Sequence, residues 1–182
     1  MKHPARIAAL AVALVVVVFG VVLALNVGSD PQLESQTNRV VGKSAPPFDL
    51  PTLGGERVTA ADLAGKTVIV NFWNTWCIPC QQELPALKQF YDAHANDPDF
   101  AMVGIVRDAQ KSNDAIAQYV QRTGMHWTIA LDPGSQAALD FGTRGQPETF
   151  VISPGGQVVG FKYSEASVPD LEQMLAFARA ES

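Results

Sequence analysis

The chain has 182 residues, of which only 2 are cysteine, and its 13 Lys and Arg against 18 Asp and Glu give a net charge of −5. This length predicts one domain or at most two small ones, and the composition excludes collagen-like, low-complexity and disulfide-scaffold proteins. The acidic balance argues against nucleic acid as a partner, because proteins that bind phosphates carry a basic surface.

The N-terminal segment predicts a membrane anchor. Residues Ile7 to Leu25 are uncharged, and a helix of that length would span about 28 Å, close to the thickness of a bilayer core. Two basic residues precede the segment and two acids follow it, namely Lys2, Arg6, Asp30 and Glu34. The positive-inside rule therefore keeps the N-terminus cytoplasmic. We expect an uncleaved signal-anchor over residues 1–27 and the remainder on the periplasmic or outer face; cleavage near Gly28 is the alternative.

Residues 28–44 are polar and short of large apolar side chains, which predicts a flexible tether. A folded domain is expected from residue 45 to residue 182. It begins with two short strands, Phe48–Leu50 and Arg57–Thr59, which are separated by Pro and Gly residues and therefore indicate a hairpin. A single helical turn, Ala60–Leu63, follows this hairpin.

Beyond the hairpin, strands and helices alternate, which predicts an α/β domain around a mixed sheet. Thr67–Trp73 is β-branched and aromatic without polar alternation, as expected for a central strand buried on both faces. Further strands are expected at Ala101–Val106, Trp127–Leu131, Glu148–Ser153 and Gln157–Phe161. Apolar residues at helical spacing predict helices at Cys80–His94, Asn113–Arg122, Gln136–Phe141 and Val168–Ala180, the first with a kink at Pro85 and the last with a cap at Ser167.

The two cysteines stand between the buried strand and the helix, as Cys77-Ile78-Pro79-Cys80. A cysteine at a helix N-terminus meets unsatisfied N–H groups and the positive end of the helix dipole, which lower the pKa of its thiol. Cys77 is therefore the expected nucleophile. Cys80, one turn further in, is expected to attack a mixed disulfide on Cys77 and close a Cys77–Cys80 disulfide. This redox-active disulfide needs no cofactor.

Two other roles for the cysteine pair are disfavoured. A static disulfide across two intervening residues closes a small loop and therefore adds little stability. A zinc ribbon would need a second pair of ligands, which the sequence lacks. His94 and His126 have no metal-ligand spacing to the cysteines, so no metal site is expected.

The segment Asn71–Cys80, followed by Glu83-Leu84-Pro85, resembles the active-site segment of membrane-anchored, thioredoxin-like thiol-disulfide oxidoreductases that work outside the cytoplasm. That group includes the proteins that reduce apocytochrome c before heme attachment. Gly145–Phe150 resembles the second signature of the group, a loop whose cis-proline faces the active site. The resemblance covers residues 45–180. It implies a thioredoxin-like α/β fold with a central mixed sheet flanked by helices, an N-terminal hairpin extension and a central strand–helix insertion.

The resemblance also implies roles for residues around the cysteines. Pro147 aligns with the cis-proline, so the Gln146–Pro147 bond is expected to be cis and to expose the backbone of Gln146 to a bound peptide. Glu83 falls at an acidic position beside the cysteines, where it would raise a thiol pKa or accept the proton of Cys80. An exposed acid in the first turn of the helix is the alternative for Glu83.

Several neighbours of the cysteines are expected to border the site and to contact a client protein: Trp76, Ile78, Pro79, Gln146 and Glu148. For Glu148 a surface position in a strand is an equal alternative. Asn71 stands where ordinary thioredoxins carry a buried aspartate, so proton handling is expected to rest on Glu83. Trp73 is expected to be a packing residue.

The implied function is a reductase that acts on disulfides of protein clients, with the Cys-x-x-Cys-His heme site of apocytochrome c as the expected client. A membrane protein that passes electrons from cytoplasmic thioredoxin is the expected donor. One alternative is a thiol oxidant that introduces disulfides. Another is a copper-binding module in which His94 or His126 joins the cysteine pair. A peroxiredoxin-type peroxidase is disfavoured, because Val70 and Asn74 replace the Pro and the Thr or Ser of that motif.

Overall fold

The computed structural model describes residues 12–19, 21, 38–108 and 111–181. The chain divides into two units, Met1–Glu34 and Ser35–Ser182. In the first unit residues 12–19 are helical, with exposed apolar side chains. Of the expected membrane segment, Ile7 to Leu25, residues 7–11, 20 and 22–25 lie outside the described residues, as do residues 28–37 of the expected tether. Within the described parts of the chain, none of the helices combines the length and the apolar character needed to span a bilayer.

The second unit contains seven strands and four α-helices among its described residues. The strands are β1 (Asp49–Pro51), β2 (Arg57–Thr59), β3 (Thr67–Trp73), β4 (Phe100–Val106), β5 (Thr128–Leu131), β6 (Glu148–Ile152) and β7 (Val158–Tyr163). The helices are α1 (Ile78–His94), α2 (Asn113–Thr123), α3 (Gln136–Asp140) and α4 (Val168–Ala180), and a short 3₁₀ helix covers Ala61–Leu63. Each element agrees with a predicted one, with bounds that differ by no more than two residues.

A five-stranded mixed sheet in the order β5-β4-β3-β6-β7 forms the centre of the domain. Strand β3 pairs in parallel with β4 and antiparallel with β6, and all seven of its residues are buried, as its unbroken apolar sequence predicts. Strands β3, β4 and β5 run parallel, so their carboxyl ends meet at one edge of the sheet. The β3–α1 loop with the cysteines lies at this edge.

Apolar layers cover both faces of the sheet. Ile69 and Trp73 of β3 belong to the layer that includes side chains of α1, α2 and α4. Val68, Val70 and Phe72 alternate with them and join the other layer, which includes α3 and the β1–β2 hairpin. The two layers fix β3 in the middle, so the loop that follows it starts from a rigid support.

The folded domain begins earlier than residue 45. Val40 is buried against the second layer. The amide of Gly42 donates to the carbonyl of Val158 over 2.7 Å, and the amide of Val158 donates to the carbonyl of Lys43 over 2.9 Å. Residues 38–44, which the sequence assigned to the tether, are therefore part of the domain, because their backbone pairs with the edge strand β7.

Candidate functional site

The cysteine pair lies where the β3–α1 loop turns into the helix. Cys77 is the N-cap residue of α1, and its sulfur accepts the backbone N–H of Cys80 over 3.2 Å. Pro79 lies in the first turn of α1. Backbone N–H groups in a first turn have no acceptor within the helix, so the N–H that proline lacks costs no intrahelical hydrogen bond. The two sulfurs are joined in a disulfide with the Cα atoms 5.2 Å apart. Because α1 begins at Ile78 rather than Cys80, Cys77 lies at its N-cap and Cys80 in its first turn.

Two large apolar side chains project into solvent on either side of Cys77. Trp76 is 62% exposed and Ile78 is 66% exposed, whereas Cys77 and Cys80 are buried. Pro79 is half-buried. These residues, which the sequence expects to contact a client, form an apolar rim around a recessed sulfur.

Glu83 lies one turn after Cys80 on the inner side of α1 and is only 2% exposed. One carboxylate oxygen accepts the side-chain amide of Asn71 over 2.9 Å, and the other accepts the backbone N–H of Ala166 over 3.0 Å. Burial raises the pKa of Glu83 from 4.5 to about 7, although both hydrogen bonds oppose the shift. The alternative of an exposed first-turn acid is therefore wrong. Glu83 is a buried carboxyl that can take up or release a proton near neutral pH.

Cys80 and Glu83 share the lining of a small internal cavity with Asn71 and Trp73. The cavity has room for about one water molecule. Asn71 points to this side of β3, the same side as Trp73, because side chains alternate along a strand. Trp73 stacks on Tyr119 with the ring centroids 5.7 Å apart, as expected for a packing residue. Cys80 and the buried Glu83 thus lie on the same cavity.

The loop that carries Pro147 meets the same edge of the sheet. The Gln146–Pro147 peptide bond is cis, as the motif predicts. Pro147 is buried and Gln146 is half-buried. Pro147 directly precedes β6, whose first residue, Glu148, pairs with Phe72 of the antiparallel strand β3. The start of β6 and the end of β3 are therefore neighbours, and each leads into one of the two predicted loops of the site.

Glu148 is fully buried, with 0% exposure, so the alternative of a surface position in the strand is wrong, and its side chain has no exposed face to offer a client. One carboxylate oxygen accepts the backbone N–H of Arg144 over 2.7 Å and that of Gly145 over 2.8 Å. Burial raises the pKa of Glu148, against these two hydrogen bonds. Through these hydrogen bonds the side chain of Glu148 holds the loop that leads to Pro147. It borders the site from the protein interior.

Asp108 belongs to the site and is not among the residues predicted from the sequence. It follows the end of β4 and is 6% exposed. One carboxylate oxygen accepts both the backbone N–H (3.1 Å) and the hydroxyl of Thr75, and the other accepts the indole N–H of Trp76 over 3.1 Å. The sequence offers one signal for it, since an acid two residues after a predicted strand lies near the cysteine loop if that strand runs parallel to β3.

His94 and His126 lie beside carboxylates and not beside the sulfurs. His94 ends α1, 14 residues after Cys80, a distance of about 20 Å along the helix. It lies 3.0 Å from a carboxylate oxygen of Glu172, and His126 lies 2.7 Å from one of Asp92. No group of three or more metal-binding side chains occurs among residues 38–108 and 111–181. Nothing in this arrangement favours the copper-binding alternative.

Comparisons with known proteins agree with this geometry. The AhpC/TSA family model matches residues 41–161. The thiol-disulfide oxidoreductase ResA of Bacillus thuringiensis (strain Al Hakam) is 33% identical over 138 residues, covering 74% of this chain and 76% of that protein. The thioredoxin-like protein YneN of Bacillus subtilis (strain 168) is 30% identical over 134 residues, covering 74% and 78%.

A solved structure gives the same result for the fold. The thiol:disulfide interchange protein, a thioredoxin family protein of Chlorobium tepidum TLS, superimposes with a TM-score of 0.66 at 28% identity, covering 78% of this chain and 98% of the other. The expected fold, a mixed sheet flanked by helices with an N-terminal hairpin, is confirmed. The chain belongs to the AhpC/TSA family and, within it, is a thioredoxin-like relative of the thiol-disulfide oxidoreductases.

Proposed function

We propose that this protein reduces disulfide bonds of client proteins outside the cytoplasm. The Cys77 thiolate attacks a client disulfide, forms a mixed disulfide and releases one client sulfur as a thiolate. Cys80 then attacks the Cys77 sulfur, which releases the second client sulfur and closes the Cys77–Cys80 disulfide. The client gains two electrons and, at neutral pH, two protons. The two sulfurs of the protein carry the electrons without a bound cofactor.

The observation that carries this proposal is the pair of environments around the two sulfurs. Cys77 caps the N-terminus of α1, where the helix dipole stabilises a thiolate. Cys80 faces a cavity that it shares with the buried carboxyl of Glu83. Once Cys77 holds the client, Cys80 must lose its proton to attack, and Glu83 is the neighbouring group able to accept that proton.

The same carboxyl supports reduction as the direction of electron flow. Strong disulfide oxidants owe their potential to a stabilised reduced form. An ionised Glu83 beside Cys80 has the opposite effect, since repulsion between two negative charges disfavours the Cys80 thiolate. The Cys80 thiolate therefore lacks stabilisation of the kind that a strong oxidant needs, and this supports a pair that passes its electrons on.

The sequence supports one client and one cellular location. The signature Asn71–Cys80, with Glu83, supports the heme-binding cysteines of apocytochrome c as the client. The apolar segment Ile7–Leu25 and its flanking charges support a single N-terminal anchor, with residues 38–181 on the extracytoplasmic face. Since disulfides persist in that compartment, the dithiol must be regenerated by a thiol donor in the membrane.

A redox titration of the full chain tests the direction of electron flow. Equilibration of Cys77 and Cys80 with glutathione or dithiothreitol buffers at pH 7 is expected to give a potential near the thioredoxin value of about −270 mV. Alkylation of free thiols followed by mass spectrometry measures the fractions of reduced and oxidised protein. A potential near the value of strong oxidants, about −120 mV, would instead establish the oxidant alternative.

Trapping tests the assignment of the two sulfurs and identifies the client. The Cys80→Ala variant cannot resolve a mixed disulfide, so Cys77 is expected to stay covalently bound to its client. Apocytochrome c whose Cys-x-x-Cys-His site is oxidised to a disulfide is the first client to offer, and non-reducing electrophoresis measures the adduct. Cys77→Ala is the matched control and is expected to trap no client. Equal trapping by Cys77→Ala would reverse the roles of the two cysteines.

A further inference from the structure

The loop before Cys77 is fastened to the end of β4 by a set of hydrogen bonds that no part of the exchange reaction accounts for. Besides its two bonds to Thr75, the buried carboxylate of Asp108 accepts the indole N–H of Trp76. The backbone N–H of Arg107, next to it, donates to the side-chain oxygen of Asn74 over 3.0 Å. Both oxygens of Asp108 are thus engaged with the two residues that precede the nucleophile.

The bond to Trp76 is unusual because most of that side chain is in solvent. An indole that is 62% exposed has little packing to hold it in a single rotamer. The hydrogen bond from its Nε1 to a buried carboxylate supplies the missing restraint. A side chain that is already held in place loses less conformational entropy when a partner binds against it.

We propose that Asp108 is a positioning residue for thiol-disulfide exchange, acting through Trp76 and Thr75 and not on the sulfurs themselves. It orients the exposed indole so that the apolar rim of Trp76 and Ile78 is formed before a protein client arrives. This inference rests on the proposed function, because it assigns Asp108 to the docking of a protein disulfide. A small disulfide that touches only the sulfur does not need the rim.

Asp108→Asn gives a sharp test, because the side-chain amide keeps the shape of the carboxylate but has only one oxygen. If that oxygen stays on Thr75, the amide NH₂ group faces the indole N–H, and two donors cannot bond. We expect the rate constant for reduction of a protein disulfide to fall about tenfold, as for a misplaced positioning group. The rate with a small aromatic disulfide, 5,5′-dithiobis(2-nitrobenzoate), is expected to stay within about twofold of the native rate. Equal slowing with both substrates would overturn the proposal.

Asp132 offers a matched control. It follows the parallel strand β5, is also buried, and accepts two backbone N–H groups, those of Ala137 and Ala138. Among the hydrogen bonds of the described residues, none joins Asp132 to Trp76 or Thr75. Asp132→Asn is expected to leave the ratio of the two rates unchanged. If it lowered this ratio as much as Asp108→Asn does, the effect would belong to buried aspartates in general and the proposal would fail.

Trp76→Phe removes the indole N–H from an exposed side chain and does not threaten folding. We expect it to slow reduction of the protein disulfide by a larger factor than reduction of the small disulfide. In this background Asp108→Asn should add about twofold or less, because the bond that it breaks is already absent. Fully multiplicative effects of the two changes would show that Asp108 does not act through Trp76.

A readout that needs no client separates this proposal from the proposed function. In the ¹⁵N-labelled full chain, the indole N–H resonance of Trp76, assigned by its loss in Trp76→Phe, is expected to shift in Asp108→Asn and to stay in Asp132→Asn. An unmoved resonance in Asp108→Asn would refute the positioning role, whatever the activity. A native chain that reduces no protein disulfide would refute the proposed function instead, while the resonance would still report on Asp108.

Discussion

Replacement of Glu83 by Gln removes a large part of the pH dependence of stability between pH 4.5 and 7. The native state raises the pKa of Glu83 from 4.5 to about 7 by burying it. The stabilising contribution of the protonated carboxyl is therefore complete below pH 4.5 and is lost as the pH rises through 7. At about 1.4 kcal/mol per unit of pKa, the loss amounts to about 3 kcal/mol.

Chemical unfolding of the oxidised protein at pH 4.5, 6 and 8 measures this effect. The free energy of unfolding of the native chain is expected to fall relative to that of Glu83→Gln across this range, and the difference levels off above pH 7. Glu56→Gln, at an exposed position, serves as the control and should follow the native chain at every pH. Parallel curves for the native chain and Glu83→Gln would mean that the native state does not raise the pKa of Glu83.

Glu148→Ala is expected to destabilise the protein by about 2–4 kcal/mol and to slow the reduction of protein disulfides. The change leaves the N–H groups of Arg144 and Gly145 without their acceptor and opens a cavity in place of a fully buried side chain. Because those N–H groups belong to the loop before Pro147, the loop loses its fixed shape together with the stability.

Urea unfolding and the rate with a protein disulfide measure the two effects of Glu148→Ala. The matched control is Glu148→Gln, whose amide oxygen can still accept both N–H groups. Its stability should lie within about 1 kcal/mol of that of the native chain. If Gln proved as damaging as Ala, the charge of Glu148 and not its hydrogen bonds would hold the loop.

The fold follows from local signals in the sequence. β3 is recognisable because seven consecutive residues suit a strand buried on both faces. α4 begins where predicted, because Ser167 and Asp170 form a reciprocal capping box. The domain start was misplaced, since residues 38–44 owe their order to pairing with Val158, more than a hundred positions away in the sequence. No local pattern encodes such a distant partner.

The residues of the candidate site also fall into two groups, those that a local sequence pattern locates and those that it does not. Motif spacing is enough to locate Cys77, Cys80 and Pro147. The environments of Glu83 and Glu148 required the packed structure, because a carboxylate next to a motif is compatible with either a surface or an interior position. Asp108 required the order of the strands as well, since only the parallel pairing of β3 with β4 brings it to the cysteine loop.

The placement of Cys80 has a kinetic consequence. Cys80 is turned toward the internal cavity that it shares with Glu83, whereas Cys77 stands between the exposed Trp76 and Ile78. In the reaction proposed above, electron donor and client both react through Cys77 at the same rim, one after the other. The two partners exclude each other, and turnover follows ping-pong kinetics in which each inhibits the half-reaction of the other. When oxidised client is in excess, it still oxidises the enzyme, but it delays the reduction of the oxidised enzyme by the donor.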